Sequence, residues 1–263
     1  MPASDDWHDG AMDLHGNEAW QYKPDSARHW REAALLLLYH LRLLNWWLFL
    51  LMALGFLAVG ALAWLQLQAG DTQGLSRATD LSRFALEPGV GLFAGVVASS
   101  LVAGDPLLEV TLATRAGLYG TVIWRALLAF CLLLLASAAY LLWSLANGIS
   151  YAKQQTPLVL LLIWLAPALV TGALGLFGSL ATRNAALGAV TAASPLAGSL
   201  FLYQQLLPIQ ATHPFLLSYT YSGGQDATDW WKNRMTLLGV AVALAICDWW
   251  LLQREERLVG SSA

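Results

Sequence analysis

Charge is scarce in this chain. Charged residues make up 12% of its 263 residues, about half the quarter that a soluble domain carries, which argues against an ordinary water-facing fold. Lysine is scarcer still. Only Lys23, Lys153 and Lys232 occur, and none follows the Gly-rich loop that cradles phosphates in nucleotide-hydrolysing domains. No HExxH is present, and His213 has no Ser or Cys partner in a nucleophile motif. No catalytic residue and no metal ligand is assigned. His8 and His15 stand among five carboxylates in a tail that reads as solvated. The two cysteines, Cys131 and Cys247, lie inside apolar runs and read as packing residues, not as a disulfide. Residues 1–24 are acidic and lack the apolar core of a secretory signal, so the first membrane helix is expected to direct insertion. There is no soluble domain, internal repeat or low-complexity tract, and no nucleic-acid partner is expected.

What is plentiful is apolar sequence, 57% of the chain, gathered in runs of roughly 20 residues, the length that crosses about 30 Å of hydrocarbon as a helix. Lipid admits only helices and closed barrels, and continuous Leu/Ala/Val/Gly runs choose helices. The expected fold is therefore an all-α integral membrane protein, a six-transmembrane-helix bundle with spans near 43–67, 85–103, 121–146, 157–181, 185–207 and 235–252. Residues 1–25 form a polar acidic tail, and 26–263 a single transmembrane domain. Residues 26–42 carry Trp30, Ala34, Leu37 and Leu41 at helical spacing. They read either as an interfacial helix or as the start of a long first span. Trp46, Trp47, Trp64, Trp124, Trp143, Trp230, Trp231, Trp249 and Trp250 bracket spans, as amphipathic rings at headgroup level do.

Orientation follows from basic residues. With the N-terminus inside, Lys23, Arg28, Arg31, Arg42, Arg115, Arg125, Arg183, Arg254 and Arg257 are cytoplasmic, against Arg77, Arg83, Lys153, Lys232 and Arg234 outside, nine to five. Both termini are expected in the cytoplasm of a multi-pass protein of the plasma membrane. The long external stretch 208–233 contains an apolar run, 215–221, too short to span. It reads as a re-entrant segment or as an interfacial loop.

Small residues recur at helical spacing: Gly91, Gly95 and Ser99 in the second span, and Ala185, Ala189, Ala193 and Ala197 in the fifth. Such stripes let backbones approach where lipid gives no hydrophobic drive to association. They form packing seams within the chain, a subunit interface or a substrate pathway. Pro167 and Pro195 lie mid-span and are expected to kink or locally open their helices. Only two carboxylates fall in or at the spans. Glu87 and Asp248 are placed near helix ends and read as interfacial anchors, not midplane relay groups.

The most specific pattern lies in 87–125. A Gly-rich span ends at Gly104. Asp105 is a plausible N-cap and Pro106 suits a first helical position. Leu107, Leu108, Val110, Leu112 and Leu118 supply apolar contacts, and Glu109, Thr111, Thr114 and Arg115 polar ones. Asp105, Pro106, Glu109, Leu112, Ala113, Thr114 and Arg125, together with the 251–260 ending, resemble the membrane subunits of type-2 ATP-binding-cassette (ABC) transporters. Arg115 departs from that pattern, which often has Pro there.

The resemblance implies a cytoplasmic coupling helix between the second and third spans, resting in a cleft of a cytoplasmic ATPase. It implies an N-terminal interfacial helix and short re-entrant helices before the sixth span. ATPase-coupling residues would be Asp105, Pro106, Leu108, Glu109, Leu112, Thr114, Arg115 and Leu118. Helix-packing or pathway residues would be Gly91, Gly95, Ser99, Ala189, Ala193 and Pro195. The expected function is that of the permease subunit of an ABC exporter, not itself an enzyme. It would bind no cofactor; ATP and Mg would sit in the partner ATPase. Partners would be ABC ATPase subunits, a second permease chain, identical or related, and membrane lipid. The competing expectations are a small intramembrane enzyme, with Ser99, Ser100, Asn147, Thr171 and His213 as candidate polar groups, and a non-transporting scaffold subunit.

Overall fold

The computed structural model describes residues 46–70, 72–102, 117–151, 156–221 and 227–260. The acidic tail, the 26–42 helix and the 105–116 part of the coupling segment lie outside the described residues. Those described are all-helical, with no strand. In order they form α1 (Trp46–Gln68), α2 (Thr72–Phe84), a π-turn (Ala85–Gly89), α3 (Val90–Ser99), α4 (Gly117–Ala146), α5 (Pro157–Thr182), α6 (Ala185–Phe201), α7 (Tyr203–Leu206), a 3-10 turn (Gln210–Phe215) and α8 (Ala227–Gly260).

Five helical segments are long and apolar enough to cross a membrane: Trp46–Gln68, Thr72–Ser99, Val122–Ala146, Pro157–Thr182 and Thr228–Arg254. The first, third and fourth match the expected spans to within a few residues. The second differs. It begins at Thr72, because α2 runs through the π-turn into α3, and its residues Gly74, Ala78 and Ser82 are buried where α2 folds back on α1. The segment expected as the fifth span divides at Leu202 (φ −100°, ψ 7°) into the 17-residue α6 and the one-turn α7.

Local chemistry sets the helix ends. Thr156 caps α5, its Oγ1 accepting from Val159 N at 3.4 Å, with Pro157 at the first helical position. Arg183 takes a left-handed φ of 53°, and Asn184 then caps α6, its Oδ1 accepting from Ala186 N at 2.9 Å. The two helices thus reverse direction in two residues. Pro167 and Pro195 both lie inside their helices.

The helix α5 is the hub. Of its membrane-length stretch 61% is buried, against 17% for α1. Its partners α3 and α6 meet it through glycines. A Cβ on Gly95 would collide with Ala192, one on Gly175 with the Gly95 carbonyl, and one on Gly188 would stand 2.7 Å from Gly175 O. Thr171 Oγ1, which donates to Gly91 O at 2.6 Å, adds a hydrogen bond across the seam. Around this centre α1, α4 and α8 turn large apolar side chains outward, among them Leu51, Leu57, Leu135, Leu142 and Val242. Cys131 and Cys247 are free and also face outward, not into the packing their apolar surroundings suggested.

Candidate functional site

The main concentration of buried polarity described lies where α8 meets the π-turn. Pro88 has no N–H to offer the carbonyl four residues back, and the helix widens there to the π form. The turn presents Glu87, fully buried. Across from it, fully buried Arg234 of α8 donates through Nη2 to Glu87 Oε1 and, at 2.6 Å, to Thr220 Oγ1. Trp230 Nε1 donates to the same hydroxyl at 3.1 Å, and the Trp230 ring lies 5.3 Å from the guanidinium carbon.

Glu87 does more than neutralise Arg234. Its Oε1 accepts from Thr220 N at 3.0 Å and its Oε2 from Tyr221 N at 2.5 Å. The segment 216–220, which supplies the first of these amides, is non-helical and entirely buried, and half-buried Tyr221, which supplies the second, follows it directly. Irregular backbone inside a bundle must find partners for its amides and carbonyls. Here Asn233 Nδ2 donates to His213 O at 2.7 Å and Leu216 O at 2.9 Å, and the Ser218 and Ser199 hydroxyls meet at 3.0 Å. Glu87, Asn233 and Arg234 thus hold this strap, two of them through its backbone and Arg234 through the Thr220 hydroxyl. His213 sits beside it, with Nε2 2.7 Å from Leu207 O and Nδ1 3.4 Å from Asp229 Oδ2.

These positions correct three expectations. Glu87 is not an interfacial anchor, because the helix continues fifteen residues before it, from Thr72, and a partner on α8 neutralises it inside the protein. Trp230 is 6% exposed and serves the polar cluster, whereas Trp46, Trp47, Trp64 and Trp124 are exposed as belt residues would be. Asp248 is also buried inside the bundle, 3% exposed, not at a solvated helix end. Partners distant in sequence could be found only by pairing Glu87 with each remote cation in turn; the Glu87-Pro88-Gly89 run was the one local signal.

A second, smaller cluster joins α2 to the α4–α5 connection. Tyr140 donates to Ser82 Oγ at 3.2 Å and Tyr151 to Ser144 Oγ at 2.6 Å. Burial pushes the Tyr151 phenol above its ordinary pKa, against the opposing pull of Ser144.

Of the packing residues named from sequence, Gly91 and Gly95 lie in the seam against Thr171 and Ala192, and Ser99 is buried at the end of α3. Ala189 and Ala193 are half-buried on α6, and Pro195 is exposed there. The Ser99 and Ser100 hydroxyls donate to carbonyls of their own helix at 2.8 Å, as Asn147 Nδ2 does to Trp143 O. The structure does not gather Ser99, Ser100, Asn147, Thr171 and His213 into one constellation. Asp105, Pro106, Leu108, Glu109, Leu112, Thr114 and Arg115 lie outside the described residues. Leu118 lies in the first turn of α4. Neither family models, nor curated proteins, nor solved structures match this chain.

Proposed function

We propose that this chain is the permease subunit of an ABC transporter, an exporter of the plasma membrane whose energy comes from separate ATPase subunits. The observation that supports this reading best is the strap. The resemblance carried by 87–125 implies short re-entrant helices before the last span, and α7, the 3-10 turn and buried 216–220 occupy that place in the chain.

On this reading α6 also crosses, as the fifth of six spans. Its 17 residues rise about 26 Å, a deficit a bilayer takes up by local thinning. Six crossings put both termini on one side, and the basic residues choose the cytoplasm. Arg125 and Arg234 are buried; with those two left out, basic residues count eight against four, still in favour of that orientation. The 105–118 segment docks on the ATPase, with Glu109 and Arg115 as polar contacts. ATP and Mg bind there and bias one state of the bundle over another. A second permease chain and lipid share the outward apolar faces of α1, α4 and α8.

The test is purification in mild detergent followed by identification of co-purifying chains. An ABC ATPase at equal stoichiometry is expected, and Glu109→Lys with Arg115→Glu should release it or uncouple its turnover. If no ATPase accompanies the chain, or if the double reversal leaves binding and turnover unchanged, the proposal fails.

A further inference from the structure

Between α3, α4, α5 and α8, with Phe49 of α1 also lining it, lies a cavity of about 580 Å³. That is within the 300–1,000 Å³ range of organic-ligand sites. Its walls are aliphatic and aromatic, with Phe130 and Trp249 among them, and the one charged side chain lining it is Asp248. Arg125 of α4 is buried too, but it does not line the cavity and has an interaction of its own.

Asp248 is 97% buried, and its Oδ1 finds no hydrogen-bond donor among the described residues. A carboxylate in apolar surroundings needs a countercharge or donor, because desolvation is otherwise uncompensated. The described protein supplies neither to Oδ1, although it satisfies the other buried carboxylate, Glu87, three times over. The contrast is between a carboxylate used for structure and one left open toward a space of ligand size. Two aromatic rings, Phe130 and Trp249, line the same cavity, and ring faces favour positive charge as well.

We propose that this cavity is a binding site for a lipophilic organic cation, its apolar body among the α3, α4 and α5 side chains and its charge against Asp248. An acyl chain would fit the walls but leave Asp248 uncompensated; an anion would add repulsion. The inference is independent of the transporter reading, since it concerns binding by the chain alone.

The experiment uses the full chain in nanodiscs of zwitterionic phosphatidylcholine, with empty nanodiscs subtracted. The probes are tetraphenylphosphonium and tetraphenylborate, of nearly equal size and opposite charge. Saturable binding of the cation is expected, with none of the anion above the empty discs. Asp248→Asn, nearly isosteric, should weaken cation binding about tenfold or more, as loss of a charge-assisted contact does. Ala126→Trp should abolish it by filling the cavity, with a monodisperse elution profile verifying folding. Equal affinity of Asp248→Asn for the cation, saturable binding of tetraphenylborate, or displacement of the cation by neutral diacylglycerol in both wild type and Asp248→Asn would overturn the proposal.

Discussion

Replacing Glu87 by Gln tests whether the buried carboxylate holds the strap. All three groups that face it are donors: Thr220 N, Tyr221 N and Arg234 Nη2. A Gln carbonyl can serve Thr220 and Arg234 from the Oε1 position, but its amide then points at the Tyr221 N–H, donor against donor. The Arg234 charge is left without its counterion at a site with no solvent exposure. Removing one partner of a buried pair costs about 3–5 kcal/mol, which at 1.4 kcal/mol per decade raises the open population of the strap about two to three and a half decades. Ser218, fully buried in the strap, reports that opening. Ser218→Cys, in a background where Cys131 and Cys247 are alanine, should react slowly with maleimide and two or more decades faster once Glu87→Gln is added. Adding Arg234→Leu removes the stranded charge and leaves chiefly the orphaned Tyr221 N–H, worth about 1–3 kcal/mol, so labelling should slow again by about tenfold. An increase below tenfold in Glu87→Gln, or a double variant as reactive as the single one, would refute the reasoning.

The helix seam and the smaller polar cluster give further expectations. Gly175→Ala drives a methyl into the Gly95 carbonyl and should cost about 1–3 kcal/mol in unfolding from mixed micelles, whereas Gly239→Ala, with nothing within 4 Å, should be neutral or stabilising by up to about 1 kcal/mol. Thr171→Val removes the bond to Gly91 O at nearly constant volume and should cost roughly 0.6 kcal/mol, the mean for such interhelical bonds. Tyr151, whose phenol pKa burial raises, stabilises the fold fully below the unfolded phenol pKa of about 10, and that contribution is lost as pH rises toward the folded value. Melting temperature measured across this alkaline range should fall less steeply in Tyr151→Phe than in wild type.

Hydropathy made α1, α4 and α5 legible to within a few residues, because lipid demands long apolar runs and little else produces them. It failed at 72–84. Arg77, Asp80 and Arg83 make that stretch look like a loop, and its buried face is built from Gly74, Ala78 and Ser82, which carry almost no hydropathy. The period of four among those small residues was the available signal. The seam glycines on α3 were readable, but Gly175, which meets Gly95, and Gly178 and Gly188, which join α5 to α6, were hidden among many small residues of equal standing. Glu87 was misplaced for two reasons: its helix was begun too late, and its cation stands 147 residues further along the chain, beyond any local pattern. Asp248 was read as a helix end because α8 was stopped at 252, eight residues before the helix does.

The π-turn has a consequence for descent. Among the buried positions, one row, Gly74, Ala78, Ser82, Glu87, Gly91, Gly95 and Ser99, advances by four, except for the one step of five that ends at Glu87. The helix therefore has two phases, offset by a single inserted residue, and the carboxylate stands where the phases join. A homologue one residue shorter between 82 and 91 would bring both small-residue faces into one phase and lose the widened turn that aims position 87 at the strap. Length in this interval, more than the identity of any side chain in it, would then mark which lineages carry the buried ion pair.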